Sequence, residues 1–126
     1  MARLTRILQA LAEPTRLRIT ALLRARDELC VCEIVDALRL RQYQVSRHLR
    51  TLRTAGVVSG WRQGRWMHYR LHPRLARADR GIVAAICERA EAEPETRADA
   101  RRLGACMRPR QTRGMCAPNT GRKQRT

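Results

Sequence analysis

The chain has 126 residues, enough for one compact domain and too few for two ordinary ones. Its formal net charge is +16, from 27 basic and 11 acidic residues, and Lys123 is the only basic residue that is not arginine. No apolar run approaches the roughly 18 residues of a membrane span, Met1 is not followed by a secretory segment, and five cysteines are an odd set for a disulfide framework, so a cytoplasmic chain is expected.

Guanidinium groups hold phosphate oxygens bidentately and stay charged at any working pH, so the arginine excess points to a polyanion, nucleic acid above all. Six of the basic residues lie after Gly104, where there is no Asp or Glu, and the rest of the chain still carries 21 basic against 11 acidic residues. The apolar content is mainly aliphatic, with two Trp, two Tyr and no Phe, which suits helices packed by aliphatic stripes.

Taken in chain order, Leu4, Ile7, Leu8 and Leu11 fall on one helix face, and Glu13-Pro14 breaks and restarts the helix. Pro14 opens a second helix running to about Ala25. A short third helix is expected over Val31 to Leu38, then a polar turn from Arg39. In the fourth segment, Gln42 to Thr54, Val45, Leu49 and Leu52 form a packing face, and Gln42, Tyr43, Ser46, Arg47 and Arg50 an outer one. Gly56 ends it, and Val57 to Arg62 and Arg65 to Leu71 read as a hairpin around Gln63-Gly64. Pro73 opens a long helix with Leu75, Ala78, Ile82, Val83, Ile86 and Ala90 as its stripe, and Pro94 stops it. Glu95 to Leu103 shows a weak helical pattern, and the Arg, Gly, Pro and Thr content from Gly104 on reads as disorder. The expectation is a mainly α fold with a small β-hairpin: a domain over 1–93 and a basic, cysteine-bearing tail over 94–126, largely disordered.

A short helix, a turn, a helix with a polar outer face and then a basic hairpin is the order of a winged helix-turn-helix, whose second helix reads base edges in the major groove. The DNA-contacting set is Gln42, Tyr43, Gln44, Ser46, Arg47, His48 and Arg50 on that helix, with Arg62 and Arg65 at the hairpin tip. Gln pairs with adenine and Arg with guanine, whereas Arg50, Arg62 and Arg65 suit phosphates or the minor groove. Exposed leucine stripes on the first and last helices predict a twofold homodimer, which also matches a palindromic site on double-stranded DNA.

Cys30-Val31-Cys32 falls where the third helix begins, and exposed amides there stabilise thiolate and favour soft metals. In an ideal helix residues two apart point about 200° away from each other, so sharing one ion would require distorting the first turn. Cys87 lies within the long helix and is expected at a buried interface, while Cys106 and Cys116 lie in the tail.

The stretches AEPTRLRI (Ala12 to Ile19), ELCVCEI (Glu28 to Ile34), QVSRHLRTLRTAGVV (Gln44 to Val58) and RQGRWMHYRL (Arg62 to Leu71) resemble the ArsR/SmtB family of metal-responsive repressors, in order and spacing, across Leu4 to Glu91. The resemblance implies a dimeric winged-helix repressor that leaves its operator when As(III) or Sb(III) binds at Cys30 and Cys32, with no organic cofactor. Arsenite-responsive relatives commonly carry a third cysteine where this chain has Val35, and Cys106 and Cys116 are the candidates to replace it. Arg41 stands where many relatives have a Ser or Thr cap. The zinc-sensing pattern of the last helix is missing, since Gly81 follows Asp79 and no His occurs after His72.

Three alternatives remain at this point: a cadmium- or lead-responsive repressor, a thiol-redox repressor of the same fold, and an effector-independent architectural DNA-binding protein. No P-loop, dinucleotide turn or paired-carboxylate frame points to an enzyme.

Overall fold

Residues 1–113 are described by a computed structural model, with side chains as far as Ala105. Six helices and three strands follow in the order α1 (Ala2–Leu11), α2 (Pro14–Arg26), β1 (Glu28–Cys30), α3 (Val31–Leu38), α4 (Gln42–Thr54), β2 (Val58–Gln63), β3 (Trp66–Leu71), α5 (Arg77–Ala90) and α6 (Pro94–Arg113). The expected winged helix-turn-helix is present. Among the described residues, no helix is long and apolar enough to cross a membrane.

Each boundary has a local cause. Glu13 caps α2 by accepting from the Arg16 N–H at 2.9 Å, with Pro14 supplying the fixed φ of the first turn. Asp27 takes φ +68 and turns the chain into β1. Arg39 ends α3 in the left-handed region, its N–H donating to the Val35 carbonyl at 2.9 Å. Gly56 has φ +81, a conformation that side chains disfavour, and closes α4 before β2.

The stripes that define the elements converge on one core. Ile7, Ile19, Leu23, Ile34, Val45, Leu49, Leu52, Val57 and Leu103 are almost wholly buried there. At about 25 cal/mol per Å² of apolar surface, this burial is the main force that fixes α4 against α2 and α3. The antiparallel sheet has the order β1-β3-β2, with Cys30 opposite His68 and Trp61 opposite the same His68 on the other side.

Three features differ from expectation. Strand β1 was not foreseen, being only three residues long. Helix α5 begins at Arg77 and not at Pro73, because Pro73 and Arg74 form a turn in which the Arg74 N–H donates to His72 Nδ1 at 3.1 Å. The chain also does not leave the domain at residue 94. Pro94 starts α6, which packs on α2 and α3 through fully buried Leu103 and Asp99. The Asp99 carboxylate accepts both arms of Arg18 at 2.8 Å and Arg102 at 2.9 Å, and the hydrogen bond to Asp99 raises the Arg18 pKa. Arg102 also donates to the Ala37 carbonyl at 2.7 Å. Residues 114–126, with Cys116, lie outside the described residues.

Candidate nucleic-acid interface and thiol site

Helix α4 presents two faces. Val45, Leu49 and Leu52 are buried, and Gln42, Tyr43, Ser46, Arg47 and Arg50 are exposed together on the other side. The Arg47 guanidinium lies 5.8 Å from the centre of the Tyr43 ring, a cation–π contact that restrains both at the outer surface. Arg41 provides no side-chain cap, and α4 still starts at Gln42 because Gln44 Oε1 accepts from the Arg41 N–H at 3.1 Å. Gln44, half-buried, thereby holds the start of the helix.

His48 sits apart from the exposed set. Its Nδ1 lies 3.4 Å from Arg16 Nη1 and 3.9 Å from Glu13 Oε1, against the start of α2, and burial lowers its pKa. A neutral imidazole in that place tethers α4 to α2.

The hairpin of β2 and β3 turns at Gly64, φ +67, and leaves Arg62 and Arg65 exposed near its tip. Trp61 stacks on His68 with ring centroids 5.8 Å apart, and the Arg70 guanidinium lies 5.5 Å over Trp61. A further basic hollow, lined by Ser46, Arg50, Arg53, Thr54 and Tyr69, lies between α4 and the hairpin. Arg53 and Thr54 were not singled out from the sequence; they share the outer side of α4 with Arg50, one turn on.

The cysteines are arranged differently from an ideal helix. Cys30 is not the first helical residue but the N-cap, in extended conformation with ψ 150. The 200° divergence therefore does not arise, and the two sulfurs meet at 2.6 Å. Both are free thiols. The Cys30 sulfur accepts from the Cys32 N–H at 3.2 Å, and Glu33 Oε1 accepts from the Cys30 N–H at 2.7 Å, a reciprocal cap built on a thiol. The hydrogen bond from Cys32 holds the Cys30 pKa below the ordinary thiol value, while the same bond, with burial, pushes Cys32 well up. Of the two, Cys30 is thus the sulfur that loses its proton first, with Cys32 still protonated beside it. Cys30 is buried and Cys32 half-buried.

Cys87 is remote from this pair, fully buried in the core, and burial pushes its thiol up to about 11. It is a protonated packing residue at neutral pH. Among the described residues, no group of three or more His, Cys, Asp or Glu side chains is assembled as a metal site.

With this geometry in view, the comparisons with known proteins agree. Residues 13–59 match the bacterial regulatory protein, arsR family. An uncharacterized HTH-type transcriptional regulator of Methanocaldococcus jannaschii is 41% identical over 63 residues, covering 50% of this chain and 71% of that protein. The chain belongs to the arsR family. The arsenic resistance transcriptional regulator ArsR1 of Pseudomonas putida is 48% identical over 69 residues, 55% of this arsR-family chain and 54% of that relative. The chain thus spans about half the length of such a relative. Among solved structures, a homodimeric winged helix-turn-helix DNA-binding domain from Mycobacterium bovis, described as a possible ArsR-family transcriptional regulator, superposes with TM-score 0.59 at 29% identity, over 74% of this chain and 86% of that one.

Proposed function

We propose that this arsR-family chain is a metalloid-responsive transcriptional repressor: a homodimer that holds double-stranded operator DNA through α4 and the wing and releases it when As(III) or Sb(III) binds at Cys30 and Cys32. The observation that carries this reading is the contact of two free thiols at the N-cap of α3. Soft thiolate donors suit a thiophilic metalloid, and a pair already together needs little ordering to chelate it. Cys30 also belongs to β1, paired with the wing strand β3, and caps the first helix of the helix-turn-helix. A bond formed at its sulfur therefore bears on both DNA-contacting elements. No organic cofactor enters this account.

The homodimer rests on apolar surface that one subunit leaves uncovered. Leu8 of α1 is 44% exposed, and a groove lined by Leu11, Leu17, Ile86 and Ala90 runs between α1, α2 and α5. Sedimentation at micromolar concentration is expected to give a dimer, and a monomer there contradicts the assembly.

The effector is tested by fluorescence anisotropy of the protein on DNA from its own promoter, with arsenite, antimonite, cadmium, lead, zinc and peroxide added in turn. Release by arsenite and antimonite is expected; release by cadmium or lead alone reassigns the effector. The sulfur contact also favours a second reading, a thiol-redox repressor in which Cys30 and Cys32 close a disulfide. Release by peroxide that reductant reverses, without any arsenite response, would select it. No response to any of the six, with little sequence preference, would leave an architectural DNA-binding protein.

A further inference from the structure

We infer that Asp99 and Arg102 of α6 are positioning residues for DNA reading: they hold the C-terminal end of α3, and with it the turn that sets how α4 meets the duplex. The inference rests on the DNA-binding part of the proposed function and adds to it a role for a helix that lies outside residues 13–59, the part that matches the family.

The last carbonyls of a helix have no partner within it. In α3 the final bond of the helix runs from the Arg39 N–H to the Val35 carbonyl at 2.9 Å, so the carbonyls that follow need donors from elsewhere. Two of them have one. Arg102 Nε donates to the Ala37 carbonyl at 2.7 Å, and Arg18 Nη2 reaches the Leu38 carbonyl at 3.4 Å. Two guanidinium groups thus sit at the negative end of the α3 dipole, where a cation is stabilised.

Both guanidinium groups are aimed by one carboxylate. Asp99, fully buried, accepts Arg18 Nε and Nη2 at 2.8 Å each and Arg102 Nη2 at 2.9 Å. A bidentate pair fixes the plane of a guanidinium as well as its distance. One buried charge on α6 therefore ties α2, which carries Arg18, to the end of α3, and fully buried Leu103 seats the same stretch of α6 in the core.

The position of this clamp links it to DNA reading. Arg39, Leu40 and Arg41 alone separate α3 from α4. Arg39 takes φ +57, a left-handed conformation that its side chain disfavours, and it lies directly beyond the carbonyls that the clamp holds. Gln42 opens α4, and Arg47 follows about 7.5 Å along the helix axis, at 1.5 Å per residue. Hydrogen bonds to base edges tolerate only about half an ångström in length, so a small change in the turn is felt at both side chains. Val45, Leu49 and Leu52 anchor α4 by apolar burial, which has no preferred direction; the polar clamp supplies one.

The test uses the full chain with Arg102→Met, which removes both bonds of Arg102, and Arg102→Lys, which keeps a donor for the Ala37 carbonyl. Asp99 retains its bidentate pair with Arg18 in each, and circular dichroism verifies that each is folded. Anisotropy on promoter DNA and on scrambled DNA gives the ratio of the two affinities, which loss of stability alone does not move in a folded protein. In Arg102→Met the ratio is expected to fall about tenfold, on the order of one lost base contact. Arg102→Lys is expected to recover most of that loss. Amide exchange followed by NMR supplies a readout without DNA: the Arg39 and Gln44 N–H groups, which donate to the Val35 and Arg41 carbonyls, are expected to exchange faster in Arg102→Met relative to the amides of α5. An unchanged ratio, equal losses on both DNAs, unchanged exchange at the turn, or a Lys variant no better than the Met variant overturns the inference and leaves the proposed function standing. If the unsubstituted chain shows no preference for promoter DNA, sequence-specific reading under the proposed function fails, and this inference with it.

Discussion

Cys30 shows how one backbone angle decides the chemistry of a short motif. Spacing alone places residues two apart on opposite sides of a helix, and that holds only when both are helical. With Cys30 extended at the N-cap, the two sulfurs meet instead, and Cys30 takes the capping role that Ser or Asp usually fills. The reading face depends on single residues in the same way. Gln42 and Arg47 stand exposed where α4 can meet base edges, whereas Arg65 lies at the hairpin tip. Arg47→Ala and Gln42→Ala are expected to weaken specific binding by about 1 to 3 kcal/mol per lost base contact and to leave nonspecific binding nearly intact. Arg65→Ala should weaken both alike and lower the salt slope by about 0.9. Anisotropy titrations on operator and scrambled DNA at several salt concentrations measure this; equal losses on both sequences for all three variants would contradict the division of roles.

Among the elements, those with an apolar period were legible from sequence, and those held by polar contacts were not. The stripes of Val45, Leu49 and Leu52 and of Ile34 and Leu38 place α3 and α4 because burial follows the helical period directly. Strand β1 has three residues, too few for an alternation, and exists because β3 offers it a partner edge. In α6 the charged residues look like a solvated face, yet Asp99 is buried beneath two arginines, a pairing that joins residues 81 apart in the chain. Breaking a buried ion pair by removing one member leaves the other charges uncompensated. Asp99→Ala is therefore expected to lower unfolding stability by about 3 to 5 kcal/mol. Urea denaturation followed by circular dichroism checks this, and a change below about 1 kcal/mol would mean that α6 is not held as described. The site followed the same division. The pair Cys30 and Cys32 and the outer face of α4 could be named from residue type and spacing, whereas the tether of His48 to Glu13 and Arg16 and the cap from Gln44 depend on contacts that spacing does not encode.

For the whole molecule, charge and connectivity support the same function. Under the proposed function, the excess of arginine supplies long-range attraction to DNA, which is sequence-independent and salt-sensitive, and the exposed face of α4 adds the sequence-dependent part. The thiol pair lies at the junction of α3, β1 and, through β3, the wing, and in the proposed function its occupancy shifts how both elements meet the duplex. A ligand moves such an equilibrium only by its difference in affinity between the two states, about 1.4 kcal/mol for each tenfold change in DNA binding. The most direct measurement is operator release by arsenite, read by anisotropy, in the unsubstituted chain, Cys30→Ser and Cys32→Ser. All three are expected to bind the operator with the same affinity, and only the unsubstituted chain is expected to release it. Release by arsenite from either substituted chain at the unsubstituted concentration would contradict the account.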